Sequence, residues 1–66
     1  MSNAKAAFAS LALTLRKHAH SYKKWAEEAE AKGDLEDYRR WRSQSDKSWR
    51  GAKRYLELAM READHA

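Results

Sequence analysis

The amino-acid sequence predicts an all-α protein folded as a two-helix antiparallel hairpin. The 66 residues include no proline, valine or isoleucine, so residues that interrupt helices or favour strands are almost absent. Apolar side chains recur at steps of three and four along both halves of the chain, which is the period of a helix. The pattern is interrupted at Lys32-Gly33-Asp34, where a helix end and a helix start are both indicated. We therefore expect residues 1–66 to form a single helical hairpin domain.

The first predicted helix covers about residues 4–32. The segment from Met1 to Ala4 contains Ser-Asn-Ala, a common vector remnant, and Ser2 or Asn3 would cap the helix in either case. The apolar side chains share one face, because steps of three and four return to the same side of a helix. These residues are Phe8, Leu11, Ala12, Leu15, Ala19, Tyr22, Ala26 and Ala29.

The turn is predicted at residues 33–34. Lys32 suits the negative end of the first helix, and Gly33 can adopt the left-handed conformation that ends many helices. Asp34 is a preferred N-cap residue, and Glu36 in the next turn complements the dipole of a second helix. Together these features favour a sharp reversal.

The second predicted helix covers about residues 35–64. Ser43, Ser45 and Gly51 are poor helix formers, and glycine alone costs about 1 kcal/mol in a helix interior. The alternative architecture therefore has three helices, with a break near Ser45. Apolar and small side chains again share one face: Tyr38, Trp41, Ser45, Ser48, Trp49, Ala52, Tyr55, Leu56, Ala59 and Ala63.

The position of the turn predicts which residues face each other across the hairpin. If the chain reverses between Gly33 and Asp34, facing residues have numbers that add up to about 67. A large side chain then faces a small one in each predicted pair, which fills space without voids. The pairs are Phe8 with Ala59, Leu15 with Ala52, Tyr22 with Ser45, Ala29 with Tyr38, Ala12 with Tyr55, and Ala26 with Trp41.

The core of this hairpin is predicted to be thin, because 13 of the 66 residues are alanine, which buries little surface. Ordering such a chain costs on the order of 100 kcal/mol of conformational entropy, at roughly 1.5 kcal/mol per residue. Small scaffolds without disulfides often offset this by oligomerisation, and the sequence has no cysteine. We therefore expect two hairpins to form a four-helix bundle. The candidate interface residues are Leu11 and Trp25 on one flank and Trp49 and Met60 on another.

A basic stripe is predicted on the second helix, on the side away from its apolar face. Its members, Arg40, Lys47, Arg54 and Arg61, repeat every seven residues and so line up at intervals of about 10.5 Å. Lysine and arginine neutralise phosphates, so the stripe, in a chain of net charge +4, predicts contact with an acidic partner, nucleic acid first. A charged face that only keeps the bundle in solution is the competing interpretation. The full predicted binding set is Arg16, Lys17, Arg40, Lys47, Arg50, Arg54 and Arg61.

The alternative function is a protein-interaction adaptor or small inhibitor that docks through its apolar flanks. Trp25, Trp49 and Met60 would then contact the partner, and binding would resist added salt because apolar burial dominates it. The expected partners are thus a second copy and either nucleic acid or an acidic protein. In architecture the predicted bundle is similar to the ROP-type hairpin dimers, small four-helix bundles that bind RNA, although no motif is shared.

The sequence indicates no enzymatic site and no cofactor. It contains no phosphate-binding glycine loop, dinucleotide fingerprint or nucleophile elbow. His18 and His20 point about 200° apart on a helix, so they cannot share a metal ion within one chain. We expect His18 to lie opposite Trp49 at the edge of the packed face, and His20 to be solvated.

The N-terminal third of the chain is basic and free of acidic residues, a composition also found in targeting segments. Its apolar run from Ala6 to Leu15 is too short to span a membrane, and basic residues follow where a cleavage site needs small ones. The helical period also continues to Ala29, and the apolar face is needed for the hairpin rather than for a membrane surface. We therefore expect a cytoplasmic protein.

Overall fold

A computed structural model describes residues 3–64, with side chains described for residues 3–62. Two α-helices make up almost all of this part of the chain: α1, Asn3–Ala31, and α2, Leu35–Asp64. They run antiparallel and pack along a rod of 50 × 12 × 10 Å. The all-α hairpin is therefore confirmed. The three-helix alternative is wrong, because α2 continues through Ser45 without a break.

Hydrogen bonds at the end of α1 reverse the chain. The Gly33 N–H donates to the Glu30 carbonyl at 3.0 Å, and the Asp34 N–H donates to the Ala29 carbonyl at 2.9 Å. This pair of bonds forms a Schellman motif, which requires a left-handed residue after the helix. Gly33 has a φ of +76°, which glycine adopts without a Cβ clash. The chain therefore reverses at the glycine that the sequence indicates.

Asp34 connects this turn to α2. Its Oδ1 accepts a hydrogen bond from the Asp37 N–H at 3.0 Å, and its carbonyl accepts one from the Tyr38 N–H at 3.0 Å. The first is the side-chain bond of a helix N-cap, which satisfies a donor that the backbone alone leaves unpaired, and the second is the first backbone hydrogen bond of the helix. Glu36 and Asp37 lie in the first turn of α2, where negative charge interacts favourably with the helix dipole.

The core between the helices consists of small side chains, so the two backbones can approach closely. The Ser45 hydroxyl donates to the Ala19 backbone carbonyl at 3.1 Å, which satisfies this buried polar group across the interface. Among the described residues, no large side chain is fully buried. The side chain of Ala63, expected on this face, lies outside the described part. The buried residues are Ala12, Ala19, Ala26, Ala29, Ser45, Ser48, Ala52 and Ala59.

Aromatic side chains line the edges of this core and meet one another across the hairpin. Phe8 stacks on Tyr55 with ring centroids 6.1 Å apart, and Tyr22 stacks on Trp41 at 5.7 Å. The expectation that a large side chain always faces a small one is therefore wrong at these two layers. Each ring meets a residue about one helical turn away from its expected partner, because aromatic side chains are long enough to reach the adjoining turn.

Candidate functional site

Large apolar side chains lie at the surface of the hairpin, because the core accommodates small ones. These large residues are between 39% and 61% exposed. Isolated exposed apolar residues are ordinary, but a contiguous group of them marks a surface used for binding. Among the described residues they are Leu11, Leu13, Trp25, Leu35, Trp49, Leu56 and Met60.

An apolar groove of about 510 Å³ runs between α1 and α2 along one side of the hairpin. Leu13 from α1 and Trp49 and Leu56 from α2 form its walls, and the buried Ala12 and Ala52 form its floor. The exposed apolar side chains of both helices therefore come together at this groove. The remaining lining residues are Ala9, Arg16, Arg50 and Lys53.

The rim of the groove is positively charged. Arg16, Arg50 and Lys53 line it, and no residue of the lining is acidic. The Arg16 guanidinium lies over the Trp49 ring, 5.9 Å from the centroid, in a cation–π contact. Nε of Arg50 donates to the Asp46 backbone carbonyl at 3.4 Å, which holds this side chain along α2. Two members of the predicted binding set, Arg16 and Arg50, are therefore brought together here.

The histidine that contacts Trp49 is His20. Its ring meets the indole edge-on, with centroids 5.3 Å apart, whereas the ring of His18 lies 6.5 Å from Tyr22 on its own helix. The expectation that His18 lies opposite Trp49 is wrong, because residue 20 lies on the groove side of α1, one turn after Arg16. His20 is exposed, as expected, although its ring also contacts the indole. Arg16 and His20 both contact the indole of Trp49, which limits its movement in the groove wall.

The four predicted oligomer residues lie on two opposite sides of the hairpin. Leu13 lines the groove, and Leu11 points about 200° away from it around α1. Trp25 follows Leu11 by about four helical turns and so shares its side. Trp49 lines the groove, and Met60 follows on that side about three turns later. A single two-fold interface therefore cannot use all four residues.

Trp25 belongs to an aromatic cluster near the turn. Its ring centroid lies 5.0 Å from that of Trp41 and 5.6 Å from that of Tyr22. Trp25 therefore packs on two other rings of the hairpin, and it is still 44% exposed. The cluster borders a depression of about 400 Å³ that carries charges of both signs. The other residues lining this depression are Glu28, Ala29, Lys32, Asp34 and Asp37.

The basic stripe lies on the outer face of α2, and all four of its residues are exposed. Arg40 forms an ion pair with Asp37 at 3.5 Å, so part of its charge is compensated. Lys17, another predicted binding residue, lies on the groove side of α1, one turn after Leu13. The predicted binding set is therefore divided between the stripe on α2 and the groove side, where Arg16 and Lys17 lie.

The predicted site omits the alanines of the groove and three of its larger residues: Leu13, Lys53 and Leu56. The sequence predicts Leu56 on the packed face of the second helix instead. Leu13 is off the main apolar face of α1, but Ala6, Ala9 and Leu13 follow helical steps and form a second, weaker apolar row. That spacing was sufficient to indicate a second surface. Lys53 resembles any charged residue of an outer helix face, and only its position one turn after Trp49 connects it with the groove.

Within residues 3–64, no helix combines the length and apolar character needed to cross a membrane. In the same part of the chain, no group of three or more histidine, aspartate or glutamate side chains is placed to hold a metal ion. Comparison of the chain with protein-family models, with curated proteins and with solved structures finds no match. The function proposed below therefore rests on the hairpin's own surfaces.

Proposed function

We propose that this chain is a non-enzymatic, cytoplasmic interaction protein that docks on other proteins through its apolar flanks. The observation that carries the proposal is the groove, where Leu13, Trp49 and Leu56 expose apolar surface from both helices in one place. Fully burying a leucine-sized side chain contributes about 1.5–3 kcal/mol. Each of the three is already partly buried, so a partner that covers them gains roughly half of that at each position.

The thin core supports the same proposal. Buried positions hold alanine or serine, so much of the apolar surface of the chain remains outside the hairpin. A domain of this size gains little stability from its own core. A partner bound in the groove adds the apolar burial that the hairpin lacks, so binding also stabilises the fold.

A second copy is one proposed partner, on the side opposite the groove. There α1 carries a row of exposed residues at helical steps that contains no lysine, arginine, aspartate or glutamate. Two copies that pack these rows together bring no lysine or arginine of the rows into contact and form a four-helix bundle. We call this the uncharged row, and its residues are Leu11, Thr14, His18, Ser21 and Trp25.

Site-specific photocrosslinking in cell extract tests the docking proposal. A benzophenone side chain replaces Leu56 in the groove, or Ser43 on the outer face of α2 as the control. We expect an adduct with another protein from position 56 but not from position 43. The adduct should still form at about 1 M salt, where the Debye length is about 3 Å. Equal adducts from both positions, or adducts with nucleic acid alone, contradict the proposal.

The second candidate function is binding of a polyanion, nucleic acid first, by the basic stripe. The observation in its favour is that four exposed cationic side chains share the outer face of α2 at intervals of about 10.5 Å. That spacing allows several phosphates to be contacted at once, which gives affinity without sequence preference. Among the described residues, Arg40 is the one member of the stripe that forms an ion pair, with Asp37 at 3.5 Å.

Charge reversal tests this second function against a control with the same net charge. Lys47→Glu with Arg54→Glu removes the centre of the stripe, whereas Lys5→Glu with Lys24→Glu changes two lysines of α1. We expect the first pair to abolish the shift of duplex DNA or RNA at low salt and the second pair to weaken it mildly. Equal loss of nucleic-acid binding in both variants would mean that the net charge of the protein, rather than the stripe, accounts for the binding.

A further inference from the structure

We infer that the groove binds an acidic amphipathic helix of a partner protein. The inference rests on the proposed docking function and adds the chemistry of the partner. Two properties of the groove lead to it: the length of its apolar floor and walls, and the sign of the charges on its rim. A helix laid in an apolar groove is one of the common modes of peptide recognition.

The dimensions of the groove fit about two turns of a third helix. Its lining runs from Ala9 to Arg16 on α1 and from Trp49 to Leu56 on α2. Seven residues of helix extend about 10.5 Å, so the lined length matches the distance from residue i to residue i+7 of a ligand helix. Apolar side chains at i, i+3 or i+4, and i+7 would therefore contact Leu56, Leu13 and Trp49 in succession.

The charges on the rim select acidic residues beside those apolar positions. Arg16, Arg50 and Lys53 border the groove without an acidic residue in the lining. The contact with Trp49 restricts the Arg16 side chain before a ligand arrives, which lowers the entropy lost on binding. A guanidinium binds a carboxylate with two parallel hydrogen bonds, so Arg16 is suited to a glutamate or aspartate at the edge of the ligand helix.

Other occupants fit the groove less well. In a two-fold dimer through this side, the same patch of both copies would meet, and Arg16, Arg50 and Lys53 would face the same set of basic residues on the other copy. Like charges brought together in this way cost several kcal/mol. A nucleic-acid backbone would match the charges but would leave the walls formed by Leu13 and Leu56 without an apolar partner.

Selection from a peptide library on the purified full-length chain tests the inference. The peptides are alanine-based helices of about 18 residues, long enough for a helical bias in water. Their inward positions vary among leucine, isoleucine, methionine and phenylalanine, and the flanking positions vary between glutamate and lysine. We expect glutamate to be enriched at the flanking positions. Replacing those glutamates by lysine should weaken binding at least about tenfold.

Matched variants show where the selected peptides bind. Leu13→Ser and Lys53→Glu should each weaken binding by about tenfold or more, because each removes a contact in the groove. Leu11→Ser and Lys47→Glu are the same changes on other surfaces and should alter it by less than about twofold. Circular dichroism confirms that the helices remain in all four variants.

The possible outcomes separate the inference from the proposed function. Lysine enrichment, or no charge preference, with binding still lost in Leu13→Ser overturns the acidic partner and leaves docking in the groove standing. Failure to enrich any peptide overturns the inference, and photocrosslinking from position 56 then decides the docking function independently. If the chain sediments as a dimer that Leu13→Ser dissociates, the groove holds a second copy and the inference is wrong.

Discussion

The Ser45 hydroxyl donates a hydrogen bond to the Ala19 carbonyl at 3.1 Å, between two fully packed positions of opposite helices. Serine disfavours helix interiors because its hydroxyl competes for backbone groups. Here the hydroxyl bonds to α1 rather than to its own helix, so it does not interrupt α2. Ser45, at which the sequence suggested a break in the second helix, therefore joins the two helices.

Ser45→Ala should lower the free energy of unfolding by about 0.5 kcal/mol. The lost hydrogen bond costs about 1 kcal/mol, and the higher helix propensity of alanine offsets about half of it. Ser43→Ala on the exposed face of α2 is the control and should stabilise by about 0.5 kcal/mol. Urea denaturation measures both. Equal stabilisation by the two substitutions would show that the bond between Ser45 and Ala19 contributes nothing.

The two glycines should respond to alanine with opposite signs. Gly33→Ala places a Cβ at φ +76° and should destabilise by about 1–2 kcal/mol. Gly51→Ala lies in a helix interior and should stabilise by up to about 1 kcal/mol. In Gly51→Ala the new Cβ meets Cδ1 of Leu15 at 2.9 Å, and this terminal carbon can move because Leu15 is only partly buried.

Thermal unfolding checks the glycine prediction, since about 1 kcal/mol shifts Tm by roughly 4–8 °C in a domain of this size. The same Gly51→Ala change in a Leu15→Ala background should give the full gain in helix propensity, because the neighbouring side chain is then absent. A loss of stability from Gly51→Ala in that background would contradict the prediction.

Asp34→Ala should destabilise the hairpin by about 1 kcal/mol, because the Asp37 N–H loses its side-chain acceptor. Asp34→Asn is the matched control. It keeps a side-chain oxygen at the N-cap and should retain most of the stability, since asparagine is as good an N-cap as aspartate. Urea denaturation distinguishes them. If the two substitutions destabilise the hairpin equally, the charge of Asp34 rather than its N-cap hydrogen bond provides the stability.

The turn was open to prediction because its determinants are local. The positive φ of Gly33 and the N-cap of Asp34 each depend on a residue type that few other residue types can replace at that position. The small-residue core was also visible, since Ala12 and Ala52 occur at helical steps on facing elements.

The surfaces were harder to predict. Helical spacing gives the direction of each side chain around its own helix axis, but it does not give the contacts between side chains of two helices. His18 was expected opposite Trp49, but the exposed His20 makes that contact, because a side chain just outside the apolar face still reaches a large indole on the other helix. Leu13 belongs to a weak apolar row in α1, which indicates a second surface but not that Leu56 of α2 completes it. The groove forms only where the two helices pack together, so the sequence of one helix alone does not indicate it.

Self-association should depend on Leu11 and not on Leu13, because these two leucines lie on opposite sides of α1. In sedimentation equilibrium we expect the wild type at twice its chain mass of 7.7 kDa. Leu11→Ser removes an apolar contact from the uncharged row and should shift the protein towards monomer, whereas Leu13→Ser should remain dimeric. Since both residues are about half exposed, either substitution alters the folded hairpin to a similar degree. Dissociation by Leu13→Ser but not by Leu11→Ser would place the self-interface in the groove, despite the like charges of its rim. A monomeric wild type would contradict the four-helix bundle.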